Sequence, residues 1–66
     1  MHIVLNGDPA EVPGPLTIQQ LLDHLGVDAR LVAVECNRTV VPRARYAGTD
    51  VPSGAEVEIV AFVGGG

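Results

Sequence analysis

The sequence predicts an α+β fold, a mixed sheet of about five strands wrapped over one helix. Three observations predict it: an Asn6-Gly7 pair inside a β-periodic start, a helix signal between Thr17 and Gly26, and a second half of short alternating stretches divided by turn residues. The 66 residues are read as one domain over 1–66, with 63–66 as an exposed glycine-rich tail, because a chain this short supports a single core.

His2 to Asn6 alternates as a strand does, with Ile3 and Leu5 on one face. Asn6-Gly7 is a hairpin signal, since both residues tolerate the positive φ of a type I′ turn. The chain is expected to return over Ala10 to Val12, and Pro13-Gly14-Pro15 ends that strand because proline has no amide hydrogen for a ladder. In LTIQQLLDHLG, Thr17 and Gln20 have the spacing of a capping box, with Leu16 and Leu21 placed as a hydrophobic staple. Ile18, Leu21, Leu22 and Leu25 form one apolar stripe, and Gly26 closes the helix. LVAVEC, residues 31–36, reads as a strand, Asn37-Arg38 as a turn, and Thr39 to Val41 as a strand stopped by Pro42. Arg43 to Thr49 lacks periodicity and is expected as a turn or a single 3₁₀ turn. After Val51-Pro52-Ser53-Gly54, the last strand is expected over Glu56 to Val63. The order is β-β-α-β-β-β, and two-layer packing of sheet on helix buries both apolar faces. That is the β-grasp, or ubiquitin-like, arrangement, in which the last strand lies centrally beside the first.

A net charge of −4, from four arginines against eight acids, argues against nucleic acid or an anionic membrane as partner. No apolar run approaches the ~20 residues that span a bilayer. The start, MHIVLNGD, reads at once as a strand rather than a leader, and with one unpaired cysteine it points to a cytoplasmic protein. There is no lysine, which excludes lysine-based catalysis, and no Cys/His set has zinc spacing, so no bound cofactor or metal is expected.

His24 and His2 are read as solvated, and Cys36 as a small, half-buried hydrophobe without a base nearby. Arg38, Arg43 and Arg45 form a basic cluster around Pro42, read as solvated surface or as a docking contact to an acidic partner. In the last strand, Glu56 and Glu58 mark the solvent face, so Val60 and Phe62 emerge on that face beside the tail. Two readings stand there: an exposed docking patch of Val60 and Phe62, or a bulge that returns Phe62 to the core. The final Gly64, Gly65 and Gly66 are either a frayed end or a reagent. Extended, Val63 to Gly66 reaches roughly 13–14 Å. Without Cβ atoms the glycines fit a channel closed to other residues, and the ionised Gly66 carboxylate can attack the α-phosphate of a nucleotide.

VAVECNRTVVPRARY, with Asn37, Val41, Pro42, Arg43 and Tyr46, resembles the thiamine-biosynthesis sulfur carrier (ThiS) family, as does the closing EVEIVAFVGGG. Ser53-Gly54-Ala55 and Cys36 depart from its usual pattern. The resemblance implies a protein cosubstrate without catalytic activity of its own. It implies that an E1-like (ThiF-type) adenylating enzyme, using ATP and magnesium, joins AMP to Gly66, with Gly64 and Gly65 threading the tail. A persulfide donor then supplies sulfur, and the resulting thiocarboxylate serves thiazole synthase (ThiG-type). Val60, Phe62 and Arg43 are the expected docking residues. Rival readings are a sulfur carrier for molybdopterin, tungstopterin or cysteine synthesis, a ubiquitin-like protein modifier, and a non-covalent β-grasp binding module.

Overall fold

The structure is a computed structural model and describes residues 1–62; the expected tail over Val63, Gly64, Gly65 and Gly66 lies outside the described residues. The first strand, β1 (His2–Leu5), pairs antiparallel with β2 (Asp8–Glu11) from His2↔Glu11 to Leu5↔Asp8. Asn6 and Gly7 form the turn at φ 49° and 84°, left-handed values that asparagine tolerates and glycine, without a Cβ, adopts freely. Such a tight turn starts pairing at once, so β2 begins at Asp8 rather than at the expected Ala10. Val12 falls just past the strand, donating its N–H to the Met1 carbonyl at 2.9 Å and burying its side chain. Pro9 is tolerated inside β2 because that strand is at the edge of the sheet.

The helix α1 spans Ile18–Leu25. Both arms of the capping box form: Thr17 Oγ1 accepts from the Gln20 amide at 3.1 Å, and Gln20 Oε1 accepts from the Thr17 amide at 2.9 Å. Gly26 ends the helix at φ 71°, its N–H turned back to the Asp23 carbonyl. Ile18, Leu21 and Leu22 are fully buried against the sheet, with Leu25 half-buried at its margin.

A 3₁₀ turn over Ala29–Leu31, capped by Asp28, was not anticipated. It takes Leu31 out of the expected strand and leaves it exposed, so β3 runs Val32–Cys36. Asn37 and Arg38, at φ 50° and 67°, turn the chain into β4 (Thr39–Val41), which stops at Pro42 as expected. The segment after it is longer than a single turn, a 3₁₀ helix over Arg43–Gly48 that buries Tyr46. Burying a tyrosine needs an acceptor for its hydroxyl. β4 is too short to cover the start of β3, and the Tyr46 hydroxyl donates to the Val32 carbonyl there, at 3.3 Å.

The last strand, β5, spans Glu56–Ala61. The sheet order is β2-β1-β5-β3-β4, with β5 parallel to β1 and antiparallel to β3. The last strand is thus central and beside the first, as the β-grasp arrangement requires. One cluster, including Ile3, Ile18, Leu21, Val34, Tyr46 and Val57, fills the space between sheet and helix.

Candidate functional site

The site is the end of β5 together with Phe62, the last of the described residues. Val57 is buried and Ile59 half-buried, whereas Glu56, Glu58 and Val60 face solvent, the period of two expected of a half-covered strand. The register with β3 is continuous from Cys36↔Val57 to Val32↔Ala61, and the Phe62 amide then donates to the Leu31 carbonyl at 2.8 Å. No bulge interrupts it, so Phe62 stays on the outer face with 61% of its surface exposed. The reading that returned it to the core is corrected.

Beside Phe62 lies an open cleft of about 380 Å³ whose lining includes Ala33, Val40, Pro42, Arg43 and Tyr46. It exists because β4 ends at Val41, leaving the first residues of β3 without a neighbouring strand. Two of the three expected docking residues, Phe62 and Arg43, share this cleft. Val60 lies next to it, directly opposite Ala33. Val40 and Leu31 are exposed hydrophobics in the same region that the sequence reading did not single out. Glu35 and Glu58 oppose each other on the neighbouring rungs, placing two like charges beside the apolar surface.

On the other side of β5, a second cleft of about 370 Å³ is lined by Leu5, Asn6, Leu25, Val27, Val32, Ile59 and Ala61. Asn6 is the polar member. Its Oδ1 accepts from the Ile59 amide at 2.8 Å, and its Nδ2 donates to the Ile59 carbonyl at 3.3 Å. Neither this contact nor the one between Asn37 Oδ1 and the Glu56 amide, at 2.9 Å, was read from the sequence, where both asparagines were turn-formers only. Partners 53 residues apart leave no local pattern.

The remaining candidates sit as surface or packing groups. His24 is exposed in the last turn of α1, and His2 Nδ1 lies 3.1 Å from Glu11 Oε1 in solvent. Cys36 is half-buried against the core, and that burial pushes its thiol pKa up, away from the nucleophilic thiolate. Arg38, Arg43 and Arg45 are all exposed. Among the described residues no group of three or more His, Cys, Asp or Glu is placed to hold a metal, and no helix is long and apolar enough to cross a membrane.

A central last strand that exits beside an exposed apolar face defines the class: a ubiquitin-like β-grasp protein. Comparison with known proteins then narrows it. The model of the ThiS family matches residues 3–66, and the chain belongs to that family. A crystal structure of thiamine biosynthesis protein ThiS from Geobacter metallireducens superimposes with a TM-score of 0.86 at 39% identity, covering 100% of both chains. The sulfur carrier protein ThiS of Bacillus subtilis is 38% identical over 50 residues, 76% of each chain. A thiazole synthase of Paramagnetospirillum magneticum is 47% identical over all 66 residues, which make up 20% of its length. The chain thus spans about a fifth of that relative.

Proposed function

We propose that this protein is a sulfur carrier of thiamine biosynthesis, a cosubstrate whose Gly66 carboxylate carries the sulfur. The observation that carries the reading is the full-length match: the family model runs through residue 66, and the match to the Geobacter ThiS covers both chains completely. In the first step the Gly66 carboxylate oxygen attacks the α-phosphate of ATP on an E1-like (ThiF-type), magnesium-using enzyme, and pyrophosphate leaves. The terminal sulfur of a persulfide then attacks the acyl carbon and expels AMP. A thiol cleaves the resulting S–S bond, becoming disulfide itself and freeing the thiocarboxylate. Gly64 and Gly65 thread the active-site channel, where side chains would obstruct.

The sulfur acceptor in this reading is thiazole synthase (ThiG-type). Its support is that segments 47% and 39% identical to this chain make up about a fifth of two relatives named thiazole synthase, from Paramagnetospirillum magneticum and Magnetococcus marinus. Val60 and Phe62 supply the apolar contact for either partner, with Arg43 at the rim of the cleft. The half-buried Cys36 and the exposed histidines take no part.

Mass spectrometry tests the reading. Exchange of oxygen for sulfur nearly matches the mass gain of oxidising Met1 or Cys36, but trypsin cuts after Arg45 and the peptide Tyr46 to Gly66 holds neither Met nor Cys. Protein isolated together with its activating enzymes is expected to show the gain in that peptide alone. An unmodified peptide under those conditions refutes the carrier reading, and a Gly66 isopeptide-linked to other proteins favours the modifier reading instead.

A further inference from the structure

We propose that Asn6 is a positioning residue for the exit of the chain from β5; the role rests on the carrier reading above. The backbone of β1 meets β5 only at Val4↔Glu56 and Leu5↔Val57, after which it turns away at Asn6-Gly7. Asn6 itself donates its N–H to the Val57 carbonyl at 2.9 Å. One rung further, its side-chain amide takes over. A carboxamide offers the same donor and acceptor as a peptide unit, and here both are used on the two backbone groups of Ile59. The Ile59 N–H can only donate and its carbonyl can only accept, so the amide's orientation is determined.

No other residue type serves both requirements as well. The backbone must sit at φ 49°, where asparagine is among the few tolerated side chains, and the side chain must both donate and accept. Glycine would make the turn without the grip, and aspartate would accept without donating. Beyond Ile59, among the described residues, β5 is paired on the β3 side alone, through Ala33↔Val60, Val32↔Ala61 and the Phe62 amide. Asn6 therefore sets the point at which the strand passes from support on both edges to support on one. That point lies immediately before Val60 and Phe62.

The fold contains its own control. Asn37 occupies the equivalent place in the other hairpin, at φ 50°, and grips the far end of the same strand: its Oδ1 accepts from the Glu56 amide at 2.9 Å and its N–H donates to the Glu56 carbonyl at 2.7 Å. Asn6→Gly removes two side-chain hydrogen bonds from the middle of β5, and Asn37→Gly removes one from its first residue. A purely structural role predicts kcat losses that follow each variant's loss of Tm; a positioning role does not.

The test compares the intact chain with Asn6→Gly, Asn6→Asp and Asn37→Gly by amide hydrogen exchange and by ATP–pyrophosphate exchange with an E1-like adenylating enzyme from a thiamine-making bacterium. In Asn6→Gly, protection at Ile59 is expected to fall by about tenfold, the scale of one or two lost hydrogen bonds. The kcat of pyrophosphate exchange is expected to fall about fivefold with KM little changed, because Val60 and Phe62 keep their hold on the β3 side while the strand before them loses its hold on the β1 side. Asn6→Asp falls between, and Asn37→Gly, with a comparable loss of Tm, keeps kcat within about twofold. Equal kcat losses in the two glycine variants, or unchanged protection at Ile59 in Asn6→Gly, overturn the proposal. Absence of pyrophosphate exchange by the intact chain is a separate result, which defeats the carrier reading and with it the role, while the Ile59 measurement still judges the grip.

Discussion

Arg30 and Asp28 show how much a single exposed pair can do locally. The guanidinium reaches both carboxylate oxygens, at 3.1 and 2.8 Å, and the Arg30 amide adds a bond at 2.9 Å. Those hydrogen bonds to Arg30 hold the Asp28 carboxyl at about 2, below its ordinary 3.8, with the charge of Arg43 helping from farther away. The folded-state pKa is depressed, so the pair's contribution is present above the unfolded value and is lost as pH falls from 3.8 towards 2. Both groups are solvated, so the effect on global stability is small. In Arg30→Gln, an NMR titration is expected to find the Asp28 carboxyl back near the ordinary carboxylate range. A midpoint still near 2 would assign the shift to the backbone amide instead. The pair was not visible in the sequence, because Asp28 and Arg30 lie between the helix-ending Gly26 and the strand expected from Leu31, where no periodicity guides the reading. The asparagines were half visible: their positive φ follows from residue type, whereas the strand they hold is a matter of tertiary arrangement.

Among the elements, α1 is the one whose every feature was readable in advance, and the reason is range. Cap, stripe and terminating glycine all act within a few residues of one another, so local spacing determines them. Thr17→Ala is expected to lower stability by about 1 kcal/mol through loss of the N-cap, and Gly26→Ala by about 1 kcal/mol because alanine resists the left-handed conformation. Urea unfolding curves of the two variants check both, and an unchanged midpoint in either would mean that its cap contributes nothing in this context. Both hairpin turns and β4 were equally legible. Of the misses, two had local causes and one was set at a distance. The start of β2 follows from the tightness of its turn, the loss of Leu31 from β3 from the Asp28-capped 3₁₀ turn, and the length of the second 3₁₀ helix from Tyr46 finding an acceptor on β3. For the site, strand alternation left Phe62 open between exposure and a bulge, and only the fold settles it on the outer face and brings Arg43 to the same cleft.

For the whole molecule, interior and outer face divide the work. Leu21 is fully buried in the one cluster that joins helix and sheet. Its replacement by alanine costs about 2–5 kcal/mol, comparable to the entire stability of a domain this small, so Leu21→Ala is expected to be largely unfolded at 37 °C. Phe62→Ala is expected to leave the Tm within a few degrees, a surface change amounting to ~0.5 kcal/mol, while weakening association with the E1-like enzyme proposed above as a partner. Circular dichroism melts and a binding titration separate the two; a Phe62→Ala protein that binds as the parent does would remove the outer face from the docking surface. The strand that leads to Phe62 is also the one held on both flanks as far as Ile59, by β1 and Asn6 on one side and β3 on the other. A tug on the chain beyond residue 62, as when an enzyme draws it into a narrow tunnel, therefore runs along the strand axis and loads the flanking bonds together in shear. The molecule is anchored through its middle, the arrangement least prone to unzip when its end is pulled.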